Sequence, residues 1–277
     1  MSAPDTNVSI LAGPNRKPRD DEIDVYGITH RGKVRKENQD HFLISALKKQ
    51  MAVLQTSLPD LEEVAAEPER LAFLMMVADG VGGGVKGEEA SRMAVEAVAK
   101  YVSHCSRCYY AAGSGEDDTF LETIQEGALR CHEELVRRGE EDPEYEGMAT
   151  TLTLYLSMWP RAYLLQVGDS RCYLLRQGEL IQVTRDQTMA QELIDLGVEM
   201  AGGASRGRLA HTLSSSIGGS RTAPVVTRHT QSWGNVALLC SDGLTNHVSD
   251  DRIRERLRNM KSAKQVCHDL LQEALDG

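Results

Sequence analysis

The sequence predicts an α+β fold in which helices cover antiparallel sheets. Two observations carry this. Short strand-like segments follow one another with only turns between them, which implies antiparallel pairing, and the helical-period segments come in separate blocks. The order is strands, two helices, strands, then helices, without the strand–helix–strand alternation of a parallel sheet. The 277 residues, 41% of them hydrophobic, suffice for a sizeable core in one large domain or two small ones.

Taken in order, Met1 to about Asp21 is rich in Pro, Asn, Asp and basic residues without a period. It is read as a flexible leader (1–21) before a single domain over 22–277. His41 to Ile44 and Leu71 to Ala78 look like strands. The polar, Glu-rich stretch between them, Ala46 to Arg70 with Pro59 and Pro68, is read as an insertion or long hairpin loop. In Glu88 to Val102, Ala90, Met93, Ala94, Ala97, Val98 and Tyr101 recur at the spacing of one helical face. Leu121, Ile124, Ala128, Cys131 and Leu135 do the same, with Asp117 and Asp118 ahead of them where acids favour a helix N-terminus.

The period then changes. In Thr151 to Met158 the apolar residues Leu152, Leu154, Leu156 and Met158 alternate with Thr151, Thr153, Tyr155 and Ser157, which predicts a half-buried strand. Ala162 to Val167 is a second strand after the Trp159-Pro160-Arg161 turn. Arg171 to Leu175 is a third, returning through a hairpin at Gln177-Gly178 to Leu180–Val183. Val236 to Cys240 reads as one more buried strand. Ser249 with Asp250 and Asp251 opens a helix. Ser262-x-x-Gln265 is a capping-box pattern opening the last one, whose inner face carries Val266, Leu270, Leu271 and Ala274.

Composition narrows the function. The net charge of −10 argues against nucleic acid or an anionic membrane as the main partner, and leaves a surplus of carboxylates able to hold cations. No apolar run approaches the ~18 residues of a membrane span, and the first 20 residues lack a secretion-signal core, so a cytoplasmic protein is expected. Six cysteines are too few for a disulfide framework in this length. Cys105 and Cys108, beside His104, have no second pair at zinc-site spacing and read as ordinary thiols.

The chemistry sits in acids placed at strand ends beside glycines. Leu74-Met75-Met76-Val77-Ala78 runs into Asp79-Gly80-Val81-Gly82-Gly83-Gly84, and Val236 to Cys240 runs into Ser241-Asp242-Gly243. Such carboxylates are rigidly held yet open to a ligand, and oxygen-only donor sets suit hard cations such as Mg²⁺ and Mn²⁺. Either Asp-Gly alone more often marks a turn than a ligand.

The ordered set is far more specific. Arg35-Lys36-Glu37-Asn38-Gln39-Asp40, Val77-Ala78-Asp79-Gly80-Val81-Gly82-Gly83, Gly147-Met148-Ala149-Thr150-Thr151, Val167-Gly168-Asp169-Ser170-Arg171 and Ser241-Asp242-Gly243-Leu244 follow in that order. Together they resemble the metal-dependent serine/threonine protein phosphatases of type 2C, most closely the compact bacterial members, over about Val25 to Leu275. The resemblance implies an αββα sandwich of two antiparallel sheets flanked by helices. It implies two ions, Mg²⁺ or Mn²⁺, with Asp79 bridging them, the Gly80 carbonyl on one and Asp242 on the other, and a metal-activated water in place of a covalent phosphoenzyme. Arg35 matches the phosphate-binding arginine, whose fork fits phosphate oxygens, although on its own it would read as a solvated arginine in a basic run with Lys33 and Lys36. Asp40 matches an acid acting through water, and Glu146 is the nearest candidate for a third ion. Asp169 is given a structural part, hydrogen bonding within its turn. The segment Thr188 to Gly219 corresponds to the family's mobile flap, where Arg206 and Arg208 could meet a phosphorylated substrate. Phosphoprotein substrates, and the kinase that makes them or its targets, are the implied partners.

Three departures accompany the match. Gln39 stands where many relatives carry Glu. Val81 and Gly84 stand where a proton-donating histidine is found, and neither His41 nor His211 is assigned that role. The family closes with an Asp-Asn followed by a strand, whereas this sequence stops at Leu275-Asp276-Gly277, about where that element begins: either the sequence is truncated there, or the protein lacks the last strand and one ligand, in which case one weakened metal site and an open sheet edge are expected. Two alternatives to an active phosphatase follow: a pseudophosphatase that binds a partner with turnover lost or weakened, and a structural or metal-buffering domain, against which Arg35 counts. The acidic insertion Glu62 to Glu69 reads as a solvated loop before a partner surface.

Overall fold

Four layers are stacked in the molecule: two long helices, a six-stranded antiparallel sheet, a three-stranded antiparallel sheet and two further helices. The computed structural model describes residues 16–49, 55, 68–82, 84–104, 117–198 and 204–277. The first fifteen residues, nearly all of the acidic insertion, Cys105, Cys108, Gly202, Gly203 and the side chain of Arg206 lie outside the described residues.

The large sheet runs β1 (Asp40–Lys49), β2 (Glu69–Val81), β4 (Leu152–Met158), β5 (Arg161–Val167) and β8 (Val225–Thr230), with the short β3 (Ala149–Thr150) pairing the end of β2. The small sheet is β7 (Glu179–Gln182), β6 (Arg171–Arg176) and β9 (Val236–Cys240) in that spatial order. Helices α1 (Gly84–His104) and α2 (Asp117–Glu141) cover the large sheet, while α6 (Asp250–Arg258) and α7 (Ala263–Asp276) cover the small one. Short helices α3 (Met189–Asp195), α4 (Ala204–Ala210) and α5 (Asp242–Thr245) lie in the connections.

Period-two alternation assigns side chains to the layers. Leu152, Leu154, Leu156 and Met158 of β4 join Leu74 and Met76 of β2 and Ala94, Val98, Phe120 and Ile124 of the helices in the largest core. On the opposite face of β4, Tyr155 packs with Leu164, Cys172 and Leu174 between the sheets. The other face of β6 sends Tyr173 and Leu175 against Ile253, Leu257, Val266 and Leu270. The expectation of a half-buried β4 is therefore corrected. Its polar face is buried too, Thr153 included, because the second sheet lies over it, and Thr153 Oγ1 donates to the Ser170 carbonyl at 2.7 Å.

Several boundaries differ from the sequence reading. β1 continues to Lys49 and β2 starts at Glu69, so both strands extend into the stretch read as an insertion from Ala46 to Arg70. β8, α3 and α4 were not anticipated. The Gln177-Gly178 hairpin forms as expected, with both residues at positive φ (51° and 84°), the signature of a tight two-residue turn. Ser249 and Ser262 cap α6 and α7, each accepting from the backbone N–H three residues on. Residues 16–21, inside the stretch read as a leader, lie against the sheet: Arg70, almost fully buried, donates Nε to Asp20 at 2.6 Å, and Trp233 Nε1 donates to the Arg16 carbonyl at 2.9 Å.

Candidate active site

The strand register brings the acids together. Across the β1–β2 pair Asp40 stands directly opposite Asp79, an arrangement of like charges that costs stability unless something else uses it. Asp242 opens α5 at the end of β9, and Asp169 sits in the turn between β5 and β6. Each is thus delivered at the end of a strand, and β9, expected to be buried, is half-buried up to Cys240.

Asp79 is held from its backbone. Its N–H donates to Thr151 Oγ1 at 2.9 Å, and its carbonyl accepts from the Thr151 N–H at 2.9 Å and from Thr150 Oγ1 at 2.8 Å. The two threonines of the Gly-Met-Ala-Thr-Thr segment are therefore the clamp that sets the carboxylate's origin. Thr151→Val would orphan a buried N–H and lose the bond to Ser170 Oγ, a cost of about 2 kcal/mol. A fall in Tm of roughly 4–8 °C in thermal melts is the expected outcome.

Asp40 Oδ2 accepts from Ser241 Oγ at 2.7 Å, a bond across 201 residues that ties β1 to the end of β9. On the other side of Asp79, the Gly80 N–H donates to the Gln39 carbonyl at 3.0 Å, and Gly80 packs directly on Gly87 of α1. Ser91 of α1, fully buried, also donates to the Gln39 carbonyl at 2.6 Å. The Arg35 guanidinium hydrogen-bonds the Gln39 side-chain oxygen, which sets the arginine beside Asp40.

Electrostatics reports how crowded these acids are. Burial raises the Asp79 carboxyl to about 9, reinforced by the charges of Asp40, Asp242 and Asp169 and by a hydrogen bond to Asp40. Burial likewise raises Asp169 to about 7, with Asp242 and Asp186 adding to it. Asp40 is raised by burial, against the opposing pull of Ser241, Asp79 and Arg35. The pattern is that of a proton shared between Asp79 and Asp40, with Asp79 donating.

The Asp169 carboxyl hydrogen-bonds the backbone of its own turn, in keeping with a structural part, and it also belongs to the acid cluster: with Asp242 it lines a cleft of about 230 Å³ whose walls include Arg171, Thr188, Ala190 and His211. The Gly-Asp-Ser-Arg motif is visible in the sequence, but nothing in the linear order says that this turn faces Asp242. Arg171 and Asp186, also on the cleft, form a two-pronged pair at 2.6–3.1 Å. Gln187 ties the turn to the segment after β7, its N–H donating to the Gly168 carbonyl and its Oε1 accepting from the Gly168 N–H.

Of the remaining candidates, His41 is engaged with Ser91 Oγ at 2.9 Å, whereas His211 faces the cleft. Arg208 is exposed on α4. Glu146 stands apart. Its carbonyl accepts from Lys86 Nζ at 2.8 Å, and it lines a different cleft with Leu135, Gly139 and Met148.

The donor set fits a hard divalent cation. Four half-buried carboxyls lie near one another, with Arg35 acting on Asp40 and Arg171 on Asp169. Among the described residues no three His, Cys, Asp or Glu side chains close on a single point. A cation here would thus rest on one or two carboxylates with water completing its shell, the habit of Mg²⁺ and Mn²⁺. No helix among the described residues is long and apolar enough to cross a membrane.

Comparison with known proteins shows the family and the fold. The family model described as protein phosphatase 2C matches residues 63–276. The chain is similar to the serine/threonine protein phosphatase PstP of Mycobacterium tuberculosis, with 35% identity over 207 residues, 74% of this chain and 38% of that protein. It therefore spans well under half the length of that relative. Among solved structures, the S. agalactiae serine/threonine phosphatase superposes with a TM-score of 0.72 at 24% identity, covering 90% of this chain and 91% of that one, a likeness of fold. The catalytic domain of PstP in complex with two manganese ions superposes with a TM-score of 0.59 at 30% identity, covering 86% and 93%.

Proposed function

The chain belongs to the protein phosphatase 2C family, and we propose on that premise that it hydrolyses phosphoserine and phosphothreonine in proteins with the help of two divalent ions. The observation that supports this best is the convergence of Asp40, Asp79, Asp169 and Asp242 with Arg35 alongside Asp40. Asp79, the Gly80 carbonyl and Asp242 are the groups to hold Mg²⁺ or Mn²⁺, and the manganese in the PstP catalytic domain supports the choice of ion class. When bound, such ions supply Lewis acidity: they ease deprotonation of water and offset charge at phosphorus.

The chain's own residues do the rest. Arg35 receives the phosphate through its guanidinium fork, and its bond to Gln39 Oε1 fixes the direction of that fork. Asp40, steadied at Oδ2 by Ser241 Oγ, is placed to accept a proton from water on the Asp79 side. Asp169 adds negative charge on the Asp242 side of the cluster and so favours cation binding there. Phosphoprotein substrates imply a serine/threonine kinase that makes them. A binding module without turnover is the second reading, and the neutral Gln39, buried where many relatives carry an acid, is what favours it.

One assay separates these readings: hydrolysis of an aryl phosphate and of a phosphothreonine peptide with millimolar Mn²⁺ and with chelator. Metal-dependent turnover is expected, and its absence would leave the binding module. Arg35→Lys should lower kcat/KM by about 10- to 100-fold, because an ammonium cannot make the paired bonds of a guanidinium. Unchanged kinetics in that variant would remove Arg35 from the phosphate site.

A further inference from the structure

The loop before β1 is unlike the rest of the surface. Between His30 and Glu37 it holds four cations, Arg31, Lys33, Arg35 and Lys36, against one acid, in a chain whose net charge is −10. It is also pre-organised. Arg31 Nη1 donates to the Lys36 carbonyl at 3.2 Å, the Gly32 N–H donates to His30 Nδ1 at 3.0 Å, and Gly32 takes a positive φ of 76° that closes the turn. At its base Asn38 Nδ2 donates to Thr29 Oγ1 at 2.9 Å, and Arg35 is anchored on Gln39.

This hydrogen-bonded turn presents Val34 at its tip with 94% of its surface exposed, more than any other large hydrophobic residue among the described ones. Fixing a valine outside any core gains nothing for folding, since its apolar surface stays in water. Lys36, exposed on the far side of Arg35, has no ion-pair partner among the described residues. Lys33 has only a loose contact with Asp276 at 3.7 Å, both side chains being largely exposed.

We propose that this loop is a substrate-docking element that selects phosphoprotein segments carrying an acidic residue and an apolar residue close to the phosphorylated one. Lys36 takes the acidic side chain and Val34 the apolar one, on either side of the phosphate held by Arg35. Val34 and Lys36 are each one residue from Arg35, so their backbones lie within about 4 Å of it, the spacing of residues adjacent to the phosphorylated one in an extended peptide. The charge of the loop favours an acidic partner, and its closed conformation spares the binding step the cost of ordering it. This specificity rests on the phosphatase reading.

The test is fluorescence anisotropy with labelled peptides bearing a non-hydrolysable phosphonate analogue of phosphothreonine, flanked by an acidic and an apolar residue or by basic residues, with Mn²⁺ present. The wild-type chain is expected to bind the acidic peptide about fivefold to tenfold more tightly at low salt, with the preference shrinking at 0.5 M NaCl, where the Debye length is only about 4 Å. Lys36→Glu should cost the acidic peptide about fivefold and erase the preference, and Val34→Ser should weaken only peptides carrying the apolar residue, by about threefold. Aryl-phosphate turnover, which needs no flanking contact, should stay within about twofold in both variants. Equal binding of the two peptides, or a preference that survives Lys36→Glu, would overturn the proposal. Absence of aryl-phosphate turnover in the wild type would defeat the phosphatase reading instead, and the anisotropy measurement would still decide the docking loop.

Discussion

Asp79→Asn is expected to lower metal-dependent turnover by on the order of a thousandfold while making the metal-free protein more stable. Both effects have one origin. Asp79 is buried opposite Asp40 and near Asp242 and Asp169, and its carboxyl is raised from 3.8 to about 9. The folded state therefore holds this proton more tightly than the unfolded chain does. The group's stabilising contribution is complete below about pH 4 and is lost as pH rises towards 9. Asparagine has no proton to lose, and its amide can donate to Asp40 as the protonated carboxyl does. With chelator at pH 7.5, the variant should melt higher by roughly 4–8 °C, the equivalent of about 2 kcal/mol in a domain of this size. The wild-type Tm should fall between pH 6 and pH 9 more steeply than the variant's. Adding Mn²⁺ should raise the wild-type Tm and leave the variant's nearly unmoved. A variant that melts lower than wild type, or keeps the same pH slope, would show that Asp79 is not the strained group of the cluster.

Gly80→Ala is the second change with a large expected effect, and its cause is steric. A Cβ on Gly80 would lie 1.9 Å from the Gly87 carbonyl oxygen and 2.3 Å from its carbon, and both are backbone atoms. Nothing there can rotate away, so β2 and the first turns of α1 must separate. The expected loss is about 3 kcal/mol, a Tm lower by roughly 6–12 °C, together with reduced turnover as Asp79 and Gln39 shift with the strand. Gly87→Ala is a graded control. Its Cβ would meet Gln39 Nε2 at 2.6 Å, the end of a side chain that can move, and the Gly80 oxygen at 2.9 Å. It should cost less than Gly80→Ala, and melting curves recorded for both would show the order.

These expectations draw on residues whose legibility in sequence differed widely. The two Asp-Gly strand ends were readable because an apolar run stopping at an acid and glycines is a local pattern, and each stands at the end of its strand, Asp79 within β2 and Asp242 just after β9. The helices α1 and α2 were readable for the same reason, since their apolar spacing is an internal property of each segment. β8 was not, because Val225–Thr230 at the sheet edge is only partly buried and has no sharp alternation. The short α3 and α4 are seven residues each, too brief to show a period.

What the sequence by itself determined is the α+β order, the hairpin at Gln177-Gly178, the helix caps at Ser249 and Ser262, and a set of acids and one arginine of recognisable family pattern. The tertiary structure alone decided which of those acids meet. Asp40 and Asp79 face one another because of a strand register, Ser241 reaches Asp40 across 201 residues, and Asp169 turns out to share a cleft with Asp242. It also decided that Thr153 and Tyr155, polar by alternation, are buried against a second sheet. The physical reason is range. Periodicity, capping and turn chemistry act within a few residues and leave their mark in the linear order. The repulsion that raises Asp79 and the contact that forbids a side chain at Gly80 arise only between segments that folding brings together.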